Sequence, residues 1–195
     1  MAISYPLAMP TVGGIQSIDI RTTNAVVLSE SPFTYDGQIQ KFPGQRWLAD
    51  VTLKPMKRKD AEQWAAWLIA LNGKYGTFLL GDPNGTAPRG SATSATISGS
   101  AGSSSVTVTM TGTLKAGDWI QISSAADVTL HKVLVDKTNS GTLEIYPALR
   151  KDRFSQPAVL TNAKGVFRLA SNENGYSISN LEIYGFSFGA IESVG

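Results

Sequence analysis

Hydrophobic and polar residues alternate most regularly in the middle of the chain, between Arg46 and Lys54. Four apolar residues share one face of this run: Trp47, Ala49, Val51 and Leu53. A period of two residues is typical of a strand with one buried face. Pro55 follows and lacks a backbone donor, so we expect the strand to end there.

The next stretch has the period of a helix. At about 100° per residue, Trp64, Leu68 and Leu71 fall on one face, which we expect to pack against the strand. The chain then returns as a short strand ending in Gly81-Asp82-Pro83. We predict that the apolar residues of this strand–helix–strand unit anchor the core: Trp47, Trp64, Leu68, Leu71 and Phe78.

The helix has recognisable end signals. Asp60 can cap the first free amides, and Gln63 can reach back in a capping-box arrangement. Asn72-Gly73 supplies a left-handed stop at the other end. We therefore predict a helix that begins at Asp60 and ends before Gly73.

The side of this helix opposite its core face is unusually apolar. It carries Ala66, Ile69 and Ala70, where a helix that merely met water would carry charges. We predict that these residues form a protein interface. Burial under the N-terminal segment or under an inserted domain is an alternative explanation.

The N-terminal third is predicted to be extended. Tyr5, Leu7 and Met9 alternate, so this segment could add to a sheet edge. Two strands are predicted next, residues 15–20 and 25–28, with a polar turn between them. Residues 33–42 contain Asp36-Gly37, a common hairpin signal, and predict a separate short hairpin.

The composition changes sharply after Pro83. Gly, Ser, Thr and Ala dominate residues 84–114, where Arg89 is the one ionisable side chain. Short strand patterns continue to about residue 150, which indicates a small barrel or sandwich. The strands after residue 162 have few partners among themselves, so we expect them to return to the first sheet.

We therefore interpret the fold class as α+β and mainly β. A first domain of the β-sandwich or split-barrel kind contains the central helix and is interrupted by an inserted small β-barrel-like domain. The predicted boundaries are residues 1–86 for the first part, 87–162 for the insert and 163–195 for the returning strands.

The composition excludes few classes of function but favours some classes over others. The 195-residue chain has a net charge of +2 and 16% charged residues, against about 25% in typical soluble proteins. A weakly charged surface favours contact with other protein, and +2 is too small to indicate nucleic-acid binding. No apolar run is long enough to span a bilayer, so we expect no membrane insertion.

The sequence offers few side chains suited to catalysis or metal binding. The chain has no cysteine and a single histidine, His131. It lacks the nucleophile-elbow, phosphate-loop and dinucleotide motifs. We expect His131 to be satisfied by a backbone carbonyl, and we predict no enzyme activity, no catalytic residues, no metal site and no cofactor.

A binding module is the main alternative. Small β domains with Ser, Thr and exposed aromatic residues can bind sugars by stacking. Trp119, Tyr146 and Phe154 could form such a platform for a carbohydrate or another cell-surface ligand. The competing explanation is that each ring fills the core of the barrel.

The order of features between Arg46 and Leu79 also carries a resemblance. A strand with Arg46-Trp47, a short helix, Leu71-Asn72-Gly73 and then Thr77-Phe78-Leu79 resembles the distal tail protein and related minor tail proteins of long-tailed, siphovirus-type bacteriophages. Residues 114–150 also look like the inserted barrel of some members.

The resemblance implies a structural protein of the virion that takes part in virus assembly at the tail tip. Members form a ring, usually a hexamer, between the tail tube protein and the tail-tip hub or receptor-binding proteins. DNA is in contact with such a ring in transit through its channel. The implied location is the virion tail tip, after synthesis in the host cytoplasm.

Overall fold

The computed structural model describes residues 3–123 and 127–194. Within them the chain forms fifteen strands and one α-helix. In chain order these are β1 (Ile15–Glu30), β2 (Gly37–Leu53), β3 (Met56–Lys57), α1 (Arg58–Ala70), β4 (Phe78–Leu80), β5 (Ala95–Gly99), β6 (Ser105–Met110), β7 (Thr113–Leu114), β8 (Trp119–Ile122), β9 (Thr129–Val133), β10 (Lys137–Thr138), β11 (Gly141–Tyr146), β12 (Arg153–Val159), β13 (Gly165–Leu169), β14 (Tyr176–Ile178) and β15 (Ile183–Glu192). The predicted mainly β class is confirmed.

One sheet joins the two ends of the chain. Its strand order is β1-β2-β15-β13-β4, and β3 and β14 pair with the first half of β15. All its pairings are antiparallel. The strands after residue 162 thus lie between the strands of the N-terminal part. The domain boundaries stay a prediction.

Helix α1 packs on one face of this sheet. Its buried side chains include Trp64, Trp67 and Leu68, and the Trp67 ring contacts the rings of Phe78 and Phe188. The predicted alternation of β2 is confirmed, since Trp47, Ala49, Val51 and Leu53 are all buried. These residues share one hydrophobic cluster with the helix.

The predicted start of the helix is wrong. Helix α1 begins at Arg58, and Lys57 occupies the N-cap position without a side-chain hydrogen bond. The cause is the pairing of Lys57 with Ile183, which makes the chain pass directly from strand β3 into the helix. Asp60 lies in the first turn, where a carboxylate still favours the helix dipole. The predicted stop is confirmed, because Asn72 and Gly73 both have positive φ angles.

The strands predicted at residues 15–20 and 25–28 are confirmed as strand, but the turn between them and the separate hairpin at residues 33–42 are wrong. Strand β1 is one continuous strand of 16 residues, and β2 extends from Gly37 to Leu53. The polar residues expected to form a turn, 21–24, are paired with residues 45–48. They are tolerated in a strand because all four side chains are exposed.

A closed barrel occupies the middle of the sequence. Its strand order is β11-β6-β5-β12-β8-β9. The interior is filled by a separate aliphatic cluster that includes Ile97, Val108, Ile120 and Leu143. Gly90 allows the incoming chain to pass close to the barrel, since a Cβ there would lie 1.9 Å from the Thr113 carbonyl oxygen.

The N-terminal segment covers the far edge of the sheet. Leu7 forms a parallel bridge with Phe78, and its backbone amide donates to the Thr77 carbonyl at 2.8 Å. The expectation that this segment adds to a sheet edge is confirmed. The edge at β4 is therefore partly protected, whereas β1 lies at an edge with no strand beside it among the described residues.

Candidate functional site

The most unusual feature is the outer part of the β1–β2 pair, residues 24–45, which we call the distal ribbon. Strand β15 pairs with β2 only at residues 48–52, so the described structure gives the ribbon no third strand. Nearly every ribbon residue is exposed, and Ser31 and Gln45 are half-buried. A two-stranded ribbon with free edges and free faces is at best marginally stable in water.

The distal ribbon nevertheless carries many large apolar side chains. Leu28 and Ile39 lie directly opposite each other, and Phe33 at the tip is 91% exposed. The full set of exposed large hydrophobic residues is Val26, Val27, Leu28, Phe33, Tyr35, Ile39 and Phe42. Clustered exposed hydrophobic residues of this kind mark surfaces that another molecule covers.

The base of the distal ribbon is held by the barrel. The Ala148 amide donates to the Gln45 side-chain carbonyl at 2.9 Å, and the Tyr146 hydroxyl donates to the Thr23 carbonyl at 3.2 Å. Arg150 also donates to the Gln45 carbonyl. The ribbon therefore projects from a fixed base.

A salt bridge between half-buried Arg150 and buried Glu192 supports this base. The Glu192 carboxylate accepts from Arg150 and from the Trp47 amide, each at 3.0 Å. Burial raises the pKa of Glu192, and the two hydrogen bonds oppose that effect. Because removing Arg150 leaves the charge of buried Glu192 uncompensated, this contact strongly couples the sheet to the barrel.

Trp47 is the centre of the junction between sheet and barrel. Its ring meets the rings of Trp119 and Tyr146 edge-on, with centroids 5.0 and 5.1 Å away. Its indole nitrogen donates to the Leu130 carbonyl at 3.0 Å. Trp119 in turn donates to Asp82 at 3.1 Å, beside the point where the chain leaves the sheet.

The predicted stacking residues are therefore not brought together on one surface. Trp119 is buried, Tyr146 is half-buried, and both pack on Trp47. Phe154 is 87% exposed and forms no ring contact within the described residues. Glycan binding by the barrel stays a prediction and would depend on Phe154.

The structure places the predicted helix residues on two sides. The core anchors Trp64, Leu68 and Leu71 are buried, as are Trp47 and Phe78. On the other side Ile69 is 75% exposed and Ala66 is also exposed. Ala70 is half-buried, and its carbonyl accepts from the Tyr5 hydroxyl at 2.6 Å. The N-terminal segment thus covers Ala70 but leaves Ile69 open.

His131 is enclosed in the barrel wall. Its Nδ1 lies 2.7 Å from the Pro147 carbonyl oxygen, and its Nε2 lies 2.9 Å from the Thr129 hydroxyl. Burial lowers the pKa of His131 to about 4, against the opposing effect of the Pro147 hydrogen bond. The neutral ring satisfies both contacts when Nδ1–H donates to the carbonyl and Nε2 accepts from Thr129.

The distal ribbon was missed by sequence reasoning. Its signal was present as the apolar run Val26-Val27-Leu28 and as Ile39 on the returning strand. We interpreted these residues as parts of ordinary short strands. These residues are exposed because the pairing of β1 with β2 continues past residue 48, where the pairing of β2 with β15 ends.

Residues 3–123 and 127–194 contain no group of three or more potential metal ligands. The same residues include no helix that is long and apolar enough to cross a membrane. Comparisons of the chain with protein-family models and with curated proteins found no match.

Proposed function

We propose that this protein is a structural component of a bacteriophage tail tip, a ring-forming adaptor between the tail tube and the distal hub or receptor-binding proteins. The distal ribbon is the observation that carries the proposal. The free edges of an apolar ribbon can pair with exposed strands of other molecules. In the functional state another chain therefore covers the ribbon.

Two further observations support assembly with other proteins. Ile69 and Ala66 present a second apolar surface on helix α1, far in sequence from the ribbon. The packing around Trp47 holds the sheet and the barrel together. An adaptor needs such a connection to keep the proteins on its two sides in a fixed relative position. The resemblance between Arg46 and Leu79 supplies the tail-tip context.

In this proposal the sheet and helix form the ring-forming first domain, of the β-sandwich or split-barrel kind. Copies of the chain associate into a ring, a hexamer by the resemblance, with the tail tube protein on one side and the hub protein on the other. DNA passes through the channel, and the protein works without a cofactor or catalytic residue.

The test is the assembly state of the purified protein. Sedimentation over a wide concentration range should show a transition from monomer to one large species, and negative-stain class averages should show closed rings with a central channel. A protein that stays monomeric at every concentration would contradict a ring built from this chain alone.

Carbohydrate binding by the barrel is the second candidate, and the exposure of Phe154 is the observation that favours it. A glycan array probed with the full chain distinguishes the two. Binding that is lost in Phe154→Ala, from a protein that forms no rings, would favour the second candidate.

A further inference from the structure

A third apolar surface lies at the end of the sheet opposite the distal ribbon. The turn between β14 and β15 exposes Ile178, Leu181 and Ile183, with Leu181 80% exposed. Ile183 pairs with Lys57, so the turn lies beside the start of helix α1. We call Lys54, Lys57, Arg58, Lys59 and these three apolar residues the basal patch.

The basal patch has a small excess of positive charge, because its basic residues outnumber Asp60 and Glu62 on helix α1 and Glu182 in the turn. Lys54, Lys57, Arg58 and Lys59 lie within six consecutive positions and are all exposed. Arg58 is paired with Glu62 at 3.2 Å, whereas the three lysines form no salt bridge within the described residues. The patch thus combines exposed apolar side chains with three lysines that lack an acidic partner there.

The tip of the distal ribbon has the opposite charge. It carries Glu30 and Asp36 and contains no lysine or arginine between Thr22 and Gln40. Neither acid forms a salt bridge among the residues that the structure describes. Phe33 and Tyr35 lie between them and are 91% and 81% exposed.

The two surfaces cannot meet within one chain. They lie at opposite ends of β2, whose 17 residues span roughly 50 Å at about 3.3 Å per residue. The ribbon base is also held by Gln45 and Arg150, which prevents the ribbon from folding back. Contact between tip and patch therefore requires two copies.

We propose that the acidic, apolar tip of the distal ribbon binds the basic, apolar basal patch of a second copy of this chain. The contact is head-to-tail, since each copy offers one tip and one patch. Repeated head-to-tail contacts close into a ring when the rotation between copies permits it. The inference rests on the proposed function and names the surfaces that would build its ring.

Complementary charge reversal tests the pairing. One variant carries Glu30→Lys and Asp36→Lys, and the other carries Lys57→Glu and Lys59→Glu. Each alone places like charges across the contact and should raise the midpoint concentration of assembly at least about tenfold. An equimolar mixture of the two, or a single chain with all four changes, should restore assembly.

Matched controls keep the test specific. Lys74→Glu with Lys164→Glu makes the same change in charge outside the basal patch and should assemble as the wild type does. Near-ultraviolet dichroism and thermal melts of all variants should match the wild type, because every changed side chain is exposed.

A direct contact map completes the test. A photo-crosslinking benzoyl-phenylalanine at position 33 should link to residues 176–183 of another copy. Suppose that the wild type assembles. If the charge-reversed variants then assemble equally well, or if the crosslink forms with other residues, this inference alone is overturned. A wild-type protein that is monomeric throughout overturns both the inference and the ring of the proposed function.

Discussion

At the scale of single residues, burial decides the role of His131. The only histidine of the chain has both ring nitrogens occupied by the Pro147 carbonyl and the Thr129 hydroxyl. Burial disfavours the charged imidazolium, so the ring stays neutral between these two contacts. The residue therefore acts as a neutral link in the barrel wall.

This role predicts a pH dependence of stability. The folded pKa of about 4 lies below the ordinary value of 6.5, so the unfolded chain binds more protons between these values. The free energy of unfolding should fall as the pH is lowered from about 6.5 to about 4, by about 2 kcal/mol at pH 5. Urea denaturation at pH 7 and pH 5 measures the loss.

His131→Gln is the control for this prediction, because glutamine keeps a donor and an acceptor but does not titrate. Glu192 contributes with the opposite sign. Its raised pKa gives stability that is present below the ordinary value and lost as the pH rises through the folded value. If His131→Gln loses as much stability between pH 7 and pH 5 as the wild type, the assignment to His131 is wrong.

At the scale of elements, two adjacent residues of helix α1 have different roles. Leu68 is 6% exposed and belongs to the main cluster, whereas Ile69 is 75% exposed. Leu68→Ala should lower the free energy of unfolding by about 2–5 kcal/mol, because it leaves a cavity. Ile69→Lys should leave the melting temperature near wild type and weaken assembly, since an interface core excludes an unpaired charge.

Thermal melts paired with sedimentation measure both effects. An Ile69→Lys protein that unfolds as easily as Leu68→Ala would place this face in the core of the monomer. Unchanged assembly in a folded Ile69→Lys protein would remove Ala66 and Ile69 from the candidate interface.

The distal ribbon is the other element with a separate role. Its strands are the outer continuation of β1 and β2, but the contacts that stabilise the inner halves end near Trp47. The ribbon thus depends on its base, at Gln45 and Thr23, for orientation. Its apolar side chains do not contribute to the buried cores.

At the scale of the whole molecule, the C-terminal strands complete the first sheet. Strand β15 lies between β2 and β13, and its residues Phe186 and Phe188 belong to the same cluster as the helix. A chain ending at Ala163 lacks β13 and β15, so the helix and β2 lose the neighbours that cover them. We expect this shortened chain to be insoluble or molten.

Near-ultraviolet dichroism and urea denaturation check that expectation. Cooperative unfolding with a native aromatic spectrum would show that the N-terminal part folds without β13 and β15. The full-length protein under the same conditions is the control.

Local sequence determined much of this protein. The two-residue period of β2, the helical period of α1 and the Asn72-Gly73 stop could all be predicted, because each depends on side chains within a few positions of one another. Short strands of the barrel before residue 150 were predicted for the same reason, whereas β12 lies beyond the predicted strand patterns. The burial of the five core anchors followed from the periods they share.

Only the tertiary structure decided the features that depend on distant partners. Trp119 lies on a barrel strand but joins the sheet cluster, because its ring packs edge-on against the ring of Trp47. Residues 21–24 form part of one long strand instead of a turn because residues 45–48 pair with them. The ribbon is exposed because β15 stops pairing at residue 48 of β2, and no local pattern encodes where a distant strand ends.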